Sequence, residues 1–256
     1  MSIGFKQSLN DPALYWRAGD DGTSFILVYV DDFLVFISKS SPHIPKIKGA
    51  LTEEFKMKDL GEVKSFLGIE ITRNHLEYTI TLSQKGYIKG VIERFGLIDA
   101  KPCWMPMVNT RPKGLTKKED SKEFNPRKEL YWSIVGSLMY LIIATRPDLA
   151  SLVGIVSRYL SNPTEEHLTA VKRILRYIKR TKEYVLTLGR TYSKIEPSDI
   201  YGYADADWAN DANTRKSTTG YVFYTGRGVI SWCSKRQPTI ALSTTEAKYI
   251  ALCTAV

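Results

Sequence analysis

The sequence predicts an α+β protein, in which strand-rich stretches near both ends flank a helical middle. Short apolar stretches rich in Val, Ile, Tyr and Phe occur at 26–37, 66–82 and 200–234, with turn-forming residues between them. In residues 87–95, 149–160 and 171–178, apolar residues recur every three or four positions, as in amphipathic helices. With 43% hydrophobic and 25% charged residues among 256, the composition is that of a folded globular protein.

The first strand-rich stretch places two acids between two apolar runs. Residues 26–30 and 33–37 are each five apolar residues long, and Asp31 and Asp32 stand between them. We expect two buried strands joined by a tight hairpin, with both carboxylates at its tip. Two carboxylates on a stiff turn suit Mg²⁺, which prefers hard oxygen ligands. The alternative is an ordinary solvated turn, because Asp favours turns.

A helix and a second hairpin are predicted next. Apolar residues from Ile44 to Met57 recur at roughly helical spacing, and the strand-like runs within 66–82 form a hairpin around Asn74. The period then changes, and residues 87–95 predict an amphipathic helix that stops at Gly96.

Further helices follow a proline-rich, charged linker predicted at 101–125. Residues 131–143 are apolar on most faces, which predicts a buried helix, and Pro147 begins another. A third helix is expected to start with Asn162 as N-cap and Glu165 three residues later.

The third helix carries a strongly basic face. Its six positive side chains, with no acid among them, are Lys172, Arg173, Arg176, Lys179, Arg180 and Lys182. The net charge of +9 favours a polyanionic partner. Contact with a phosphate backbone is therefore one interpretation of this face, and an ordinary solvated helix surface is the other.

Acidic candidates recur in the last strand-rich stretch, where three short strands predict an antiparallel meander. Asp205 falls at the end of the first strand, while Asp207 is expected in the turn, so Asp205 ranks first as a metal ligand. Ser243 opens a helix, and Glu246 stands three residues later. This spacing is that of a capping box, in which the glutamate bonds a backbone amide instead of a metal. Spacing does not choose between these roles.

Four motifs resemble, in order, those of Ty1/copia-type retrotransposon Pol polyproteins. Tyr29-Val30-Asp31-Asp32 resembles the palm motif of reverse transcriptases. Residues 202–209 (GYADADWA), 215–221 (RKSTTGY) and 243–249 (STTEAKY) resemble the ribonuclease H region. The resemblance runs from about Gly4 to the last residue.

This resemblance implies three domains and two activities. Residues 1–82 would be the C-terminal part of the palm, 83–190 the thumb and helical connection, and 198–256 the N-terminal part of a ribonuclease H-like domain. Asp31 and Asp32 would bind Mg²⁺ for RNA-directed DNA synthesis. Asp205 and Glu246, with Asp207 as a further candidate, would bind Mg²⁺ for hydrolysis of the RNA strand in RNA–DNA hybrids. Both reactions are two-metal phosphoryl transfers.

The resemblance also implies that the chain is a fragment that is inactive alone, since each site needs one more aspartate than this sequence supplies. Lys248 stands where the family often has an acid and is expected to face away from Glu246. Expected partners are RNA, DNA, RNA–DNA hybrid and the remaining Pol segments, in a cytoplasmic virus-like particle or the nucleus. No membrane partner is expected, because the longest uncharged apolar stretch is about half of the roughly 20 residues that span a bilayer. The alternatives are a non-catalytic nucleic-acid-binding remnant and a degenerate, unstable reading frame.

Overall fold

The computed structural model describes residues 4–20, 22–38, 41–107, 127–189 and 199–256. The chain forms two compact units, Met1–Val63 and Lys64–Val256. Helices and antiparallel sheets occur together, so the predicted mixture of α and β structure is confirmed. The assignment of palm, thumb and ribonuclease H-like domains stays a prediction. Most of the predicted linker, from residue 108 onwards, lies outside the described residues.

The first unit is an antiparallel sheet with one helix on it. Its strands pair in chain order, and the elements are β1 (Lys6–Gln7), β2 (Leu14–Gly19), β3 (Gly22–Tyr29), β4 (Asp32–Phe36) and α1 (Ile44–Phe55). Ile26 of β3 packs against Ile47 and Leu51 of α1 in a small core. On the other face, the paired residues Phe25 and Phe36 are 38% and 47% exposed. The hairpin is confirmed, but the expectation that its strands are buried is wrong for this face, because α1 covers only the opposite one.

The second unit begins with another antiparallel sheet. Its strands are β5 (Ser65–Phe66), β6 (Ile69–Asn74), β7 (Thr79–Ser83) and β8 (Leu186–Gly189), paired in that order. The hairpin predicted around Asn74 is confirmed, and the Asn74 side chain accepts hydrogen bonds from the N–H groups of Leu76 and Glu77. Strand β8 was not predicted; it pairs with β7 after an intervening block of helices.

Four helices make the main core of the second unit: α2 (Lys85–Arg94), α3 (Arg127–Ala144), α4 (Ala150–Val156) and α5 (Glu165–Arg180). The predicted stop of α2 is confirmed. Gly96 has φ 66°, and the N–H of Leu97 donates to the Ile92 carbonyl at 2.9 Å, as in a Schellman motif. On α3, by contrast, Trp132, Met139 and Ile143 are 46%, 42% and 75% exposed. The prediction that α3 is buried is therefore wrong for this face, since the other helices cover only one side of it.

The start of α5 differs from the prediction. Thr164, in extended backbone, is the N-cap, and not Asn162. The N–H of Thr164 donates to Nδ1 of His167 at 2.8 Å, so histidine closes the capping box where glutamate was expected. Burial lowers the pKa of His167, which keeps the ring neutral and able to accept this bond.

The chain ends in a three-stranded sheet and a helix, as predicted. The elements are β9 (Ile200–Ala206), β10 (Thr218–Thr225), β11 (Gly228–Arg236) and α6 (Thr244–Ala255). Strand β10 lies between the other two, and α6 packs on β9 and β10 through the buried Ala247 and Ala251. Among the described helices, none has both the length and the apolar character needed to cross a membrane.

Candidate functional site

The turn between β3 and β4 carries the first pair of candidate acids. Tyr29 pairs with Asp32, so Val30 and Asp31 form the two-residue loop. Val30 has φ 52°, in the left-handed region that β-branched residues rarely adopt, and its side chain is 80% exposed. Backbone strain of this kind is concentrated at functional sites in proteins. Two-residue hairpins commonly have a positive φ at this position, so the unusual feature is that valine stands there in place of glycine or asparagine.

Asp31 and Asp32 are both exposed at this tip. Neither carboxylate has a hydrogen-bond or ion-pair partner among the residues that the structure describes. Their oxygens are hard donors of the kind that Mg²⁺ prefers, so the pair suits a divalent cation chemically. Their placement at the tip is confirmed, and their role as ligands stays a prediction.

Asp205 lies within β9 and already has two partners. Its Oδ1 accepts a hydrogen bond from the Ala206 N–H at 2.8 Å and lies 3.4 Å from Nζ of Lys248. These two groups hold the pKa of Asp205 below its usual value. Lys248 was expected to face away from Glu246, and its ammonium lies beside Asp205, a partner that was not predicted. Because α6 packs along β9, the long lysine side chain reaches Asp205.

Asp207 follows β9 and ties the ends of the β9–β10 loop together. Its N–H donates to the Thr218 carbonyl at 3.2 Å, and its Oδ1 accepts from the Thr218 N–H. The predicted position just beyond the strand is confirmed. The Asp207 carboxylate therefore already accepts a backbone hydrogen bond that holds the loop together.

Glu246 takes part in capping α6, as its spacing suggested. Its carboxylate bonds the backbone amide of Leu242 and not that of the N-cap residue Ser243. Its N–H donates to Oγ of Ser243 at 3.1 Å, which confirms Ser243 as the N-cap. Its Oε2 accepts from the N–H of Leu242 at 2.7 Å, one residue before the cap. In the described ranges, no three His, Cys, Asp or Glu side chains converge to hold a metal ion. Asp205 and Glu246 each have a partner within the protein, and their role as ligands stays a prediction.

An open groove of about 620 Å³ runs between the start of α4 and the last sheet. Asp205 and Asp207 both line it, together with Asp148 and the aromatic side chains of Tyr203 and Trp232. Glu246 is not among its lining residues. The structure thus brings Asp205 and Asp207 to one groove but not Glu246.

Asp211, which sequence reasoning missed, anchors the loop beside this groove. It is 4% exposed, and its Oδ2 accepts hydrogen bonds from Arg158 at 3.1 Å and Arg236 at 2.8 Å. Its Oδ1 accepts from the N–H groups of Asn213 and Thr214, which is the signature of an Asx turn. Burial raises the pKa of Asp211, but the hydrogen bonds from Arg236 and from the loop outweigh it, so the pKa is lowered overall.

The basic face of α5 is largely covered by residues 97–107, which we call the strap. Arg173 Nε donates to the Met105 carbonyl at 3.0 Å, and Arg176 Nε donates to the Lys101 carbonyl at 2.6 Å. Lys179 and Arg180 also contact the strap. By contrast, Lys172 and Lys182 have no hydrogen-bond or ion-pair partner within the described ranges. Lys182 follows the C-cap residue Thr181, so the prediction that it lies on the helix is wrong. Sequence reasoning missed the strap because most of its acceptors are backbone carbonyls, which every residue carries.

Comparison with known proteins agrees with the motifs. Residues 1–109 match the family described as reverse transcriptase (RNA-dependent DNA polymerase). The chain is 43% identical over 250 residues to a retrovirus-related Pol polyprotein from transposon TNT 1-94 of Nicotiana tabacum, covering 96% of this chain and 18% of the relative. It is 39% identical over 251 residues to the Pol polyprotein from transposon RE1 of Arabidopsis thaliana, covering 97% and 16%.

A shorter relative is matched over most of its length. The chain is 34% identical over 250 residues to a putative transposon Ty5-1 protein of Saccharomyces cerevisiae, covering 97% of this chain and 78% of the relative. The chain spans less than a fifth of each of the two plant polyproteins. No solved structure matches it significantly.

Proposed function

Because this chain belongs to the Ty1/copia-type retrotransposon Pol polyproteins and includes part of their reverse-transcriptase region, we propose that Asp31 and Asp32 serve RNA-directed DNA synthesis. The observation that carries this proposal is the hairpin tip. It presents two exposed carboxylates without partners in the described part of the chain, beside a strained Val30.

The chemistry assigned to these residues is binding of divalent cations. Asp31 and Asp32 would hold Mg²⁺, which supplies Lewis-acid stabilisation of the phosphoryl group when bound. The pairing of Tyr29 with Asp32 fixes the direction of the second carboxylate, because Asp32 is the first residue of a strand whose backbone is hydrogen-bonded. Asp31 lies in the loop, where its side chain is free to approach the same cation.

The test is Mg²⁺-dependent primer extension on an RNA template by the reverse-transcriptase region that contains this segment. Asp31→Asn and Asp32→Asn should each lower the rate by about 100-fold or more, above the range for residues that only support a metal ligand. Glu53→Gln, which removes an exposed acid from α1, is the matched control and should leave the rate unchanged. Wild-type rates in either aspartate variant would refute the assignment.

We also propose that the last sheet takes part in hydrolysis of RNA–DNA hybrids, since Asp205 and Asp207 line one open groove. The Lys248 contact would have to be released for Asp205 to bind a cation. In a Pol protein that cleaves hybrid, Asp205→Asn should abolish cleavage, and Lys248→Gln should preserve it. Full cleavage with asparagine at 205 would show that Asp205 is not a ligand.

The third part of the proposal concerns α5, whose six cations would contact the phosphate backbone of RNA, DNA or their hybrid. The support is the charge of this helix face and the absence of acids from it. Neutralising Lys172, Arg176, Lys179 and Arg180 together should flatten the plot of log affinity against log salt concentration. An unchanged slope would place the contact elsewhere.

A further inference from the structure

The geometry points to the strap as an intramolecular competitor of polyanions for the basic face of α5. This inference rests on the proposed nucleic-acid contact of that helix and adds a means of regulating it. With the strap in place, four of the six cations are engaged and two remain open. When the middle of the strap lifts, Arg173, Arg176 and Arg180 also become available to phosphates.

The strap offers the cations the same kind of acceptor that phosphate would offer. Nζ of Lys179 donates to the carbonyls of Leu97, Ile98 and Ala100. Arg173 and Arg176 each donate to one further strap carbonyl, so five backbone oxygens satisfy three side chains. Phosphate oxygens would replace these carbonyls with charged acceptors, and charge-assisted hydrogen bonds are stronger than those to neutral groups.

The middle of the strap is held at the surface. The guanidinium carbon of Arg180 lies 3.9 Å from the centroid of the Trp104 ring, yet Trp104 is 69% exposed. The Cys103 N–H donates to the Arg176 carbonyl at 3.3 Å, and its Sγ lies 3.4 Å from the Arg173 carbonyl. Leu97 and Met107, by contrast, pack against the main core and anchor both ends. Exposed polar contacts contribute little stability each, so the middle can lift while the ends stay attached.

The first experiment compares binding of a short RNA–DNA hybrid by the whole chain and by Trp104→Ala. Removing the ring frees Arg180 and loosens the strap. We expect Trp104→Ala to bind the hybrid several-fold more tightly. The slope of log affinity against log salt concentration should also become steeper, by about 0.9 for each additional phosphate that the helix neutralises. The control is Trp132→Ala, which removes an exposed tryptophan that contacts Lys128 and the Leu160 carbonyl and no residue of the strap. It should change neither value.

The second experiment uses Cys103 as a reporter. In the Cys233→Ser, Cys253→Ser variant, Cys103 is the remaining thiol. The rate at which iodoacetamide alkylates Cys103 should rise when hybrid is added, because displacement of the strap breaks the contacts of its Sγ and N–H. A rise confined to low salt, where the hybrid binds, supports competition.

The outcomes separate the two proposals. If neither the wild-type chain nor Trp104→Ala binds hybrid, the nucleic-acid contact of α5 fails, and the strap inference fails with it. If hybrid binds but Trp104→Ala binds equally or more weakly, or if hybrid protects Cys103, the contact stands and the competition is overturned.

Discussion

Whether a carboxylate of this chain can take a cation depends on what already contacts it. Asp31 and Asp32 are without partners in the described ranges, whereas Asp205 has Lys248 and Glu246 has the Leu242 amide. The sequence predicted where these acids lie, because strand ends and helix starts are local features. It did not predict their partners, because a long lysine side chain reaches across elements.

The residue-scale prediction concerns Asp211. Asp211→Asn should lower the free energy of unfolding by about 2–3 kcal/mol near neutral pH, because it leaves Arg158 and Arg236 without their carboxylate. Since the pKa of Asp211 is lowered in the folded chain, its charge stabilises the fold above the unfolded value of about 3.9. This contribution is lost as pH falls through the folded pKa.

Urea unfolding at a series of pH values measures both effects. The difference between wild type and Asp211→Asn should be constant above about pH 4 to 5 and shrink below it. Asp199→Asn, which removes an exposed acid of the same unit, should show no such difference. A gap that persists undiminished in acid would mean that the loop geometry, and not the charge, accounts for the effect.

At the scale of elements, local signals predicted the ends of α2 and α6 but misplaced the N-cap of α5, and pairings between distant residues were not predicted. The Gly96 stop of α2 and the Ser243 start of α6 are encoded within a few residues. Strand β8 has four residues and depends on pairing with β7, and the strap depends on α5. Such contacts join residues far apart in the chain, so periodicity in a short window cannot reveal them.

Strand β8 also lies tightly against β11. A Cβ added at Gly228 would stand 2.6 Å from the Thr187 carbonyl, and the Arg227 N–H donates to the Gly189 carbonyl at 3.0 Å. Gly228→Ala should therefore destabilise the second unit by about 1–3 kcal/mol through overpacking. Gly90→Ala, in the middle of α2 with open space around it, should stabilise by about 0.5–1 kcal/mol.

Thermal unfolding of the two glycine variants provides the comparison. Opposite shifts in midpoint, downwards for Gly228→Ala and upwards for Gly90→Ala, are expected. If Gly228→Ala unfolds at the wild-type temperature, the two strands can separate without cost and β8 does not depend on close packing against β11.

At the scale of the whole molecule, the two units differ in the size of their cores. In the described ranges, four apolar residues are buried in the core of the first unit, against sixteen in the main core of the second. Since apolar burial is the main favourable term in folding, the first unit should be the less stable of the two. The hairpin that carries Asp31 and Asp32 thus lies on the unit with the smaller core.

Hydrogen exchange on the whole chain tests this difference. Amides of β3 and β4 should exchange faster than those of α3 and α5, because local opening follows local stability. Two matched substitutions in the cores, Ile26→Ala and Leu138→Ala, make the test sharper. Both side chains are 0% exposed, so each substitution should lower the free energy of unfolding by about 2–5 kcal/mol. Ile26→Ala should speed exchange only within the first unit, and Leu138→Ala only within the second. Faster exchange in both units from either change would mean that the chain unfolds as one cooperative body, and the β3–β4 hairpin would then owe its stability to the helical core.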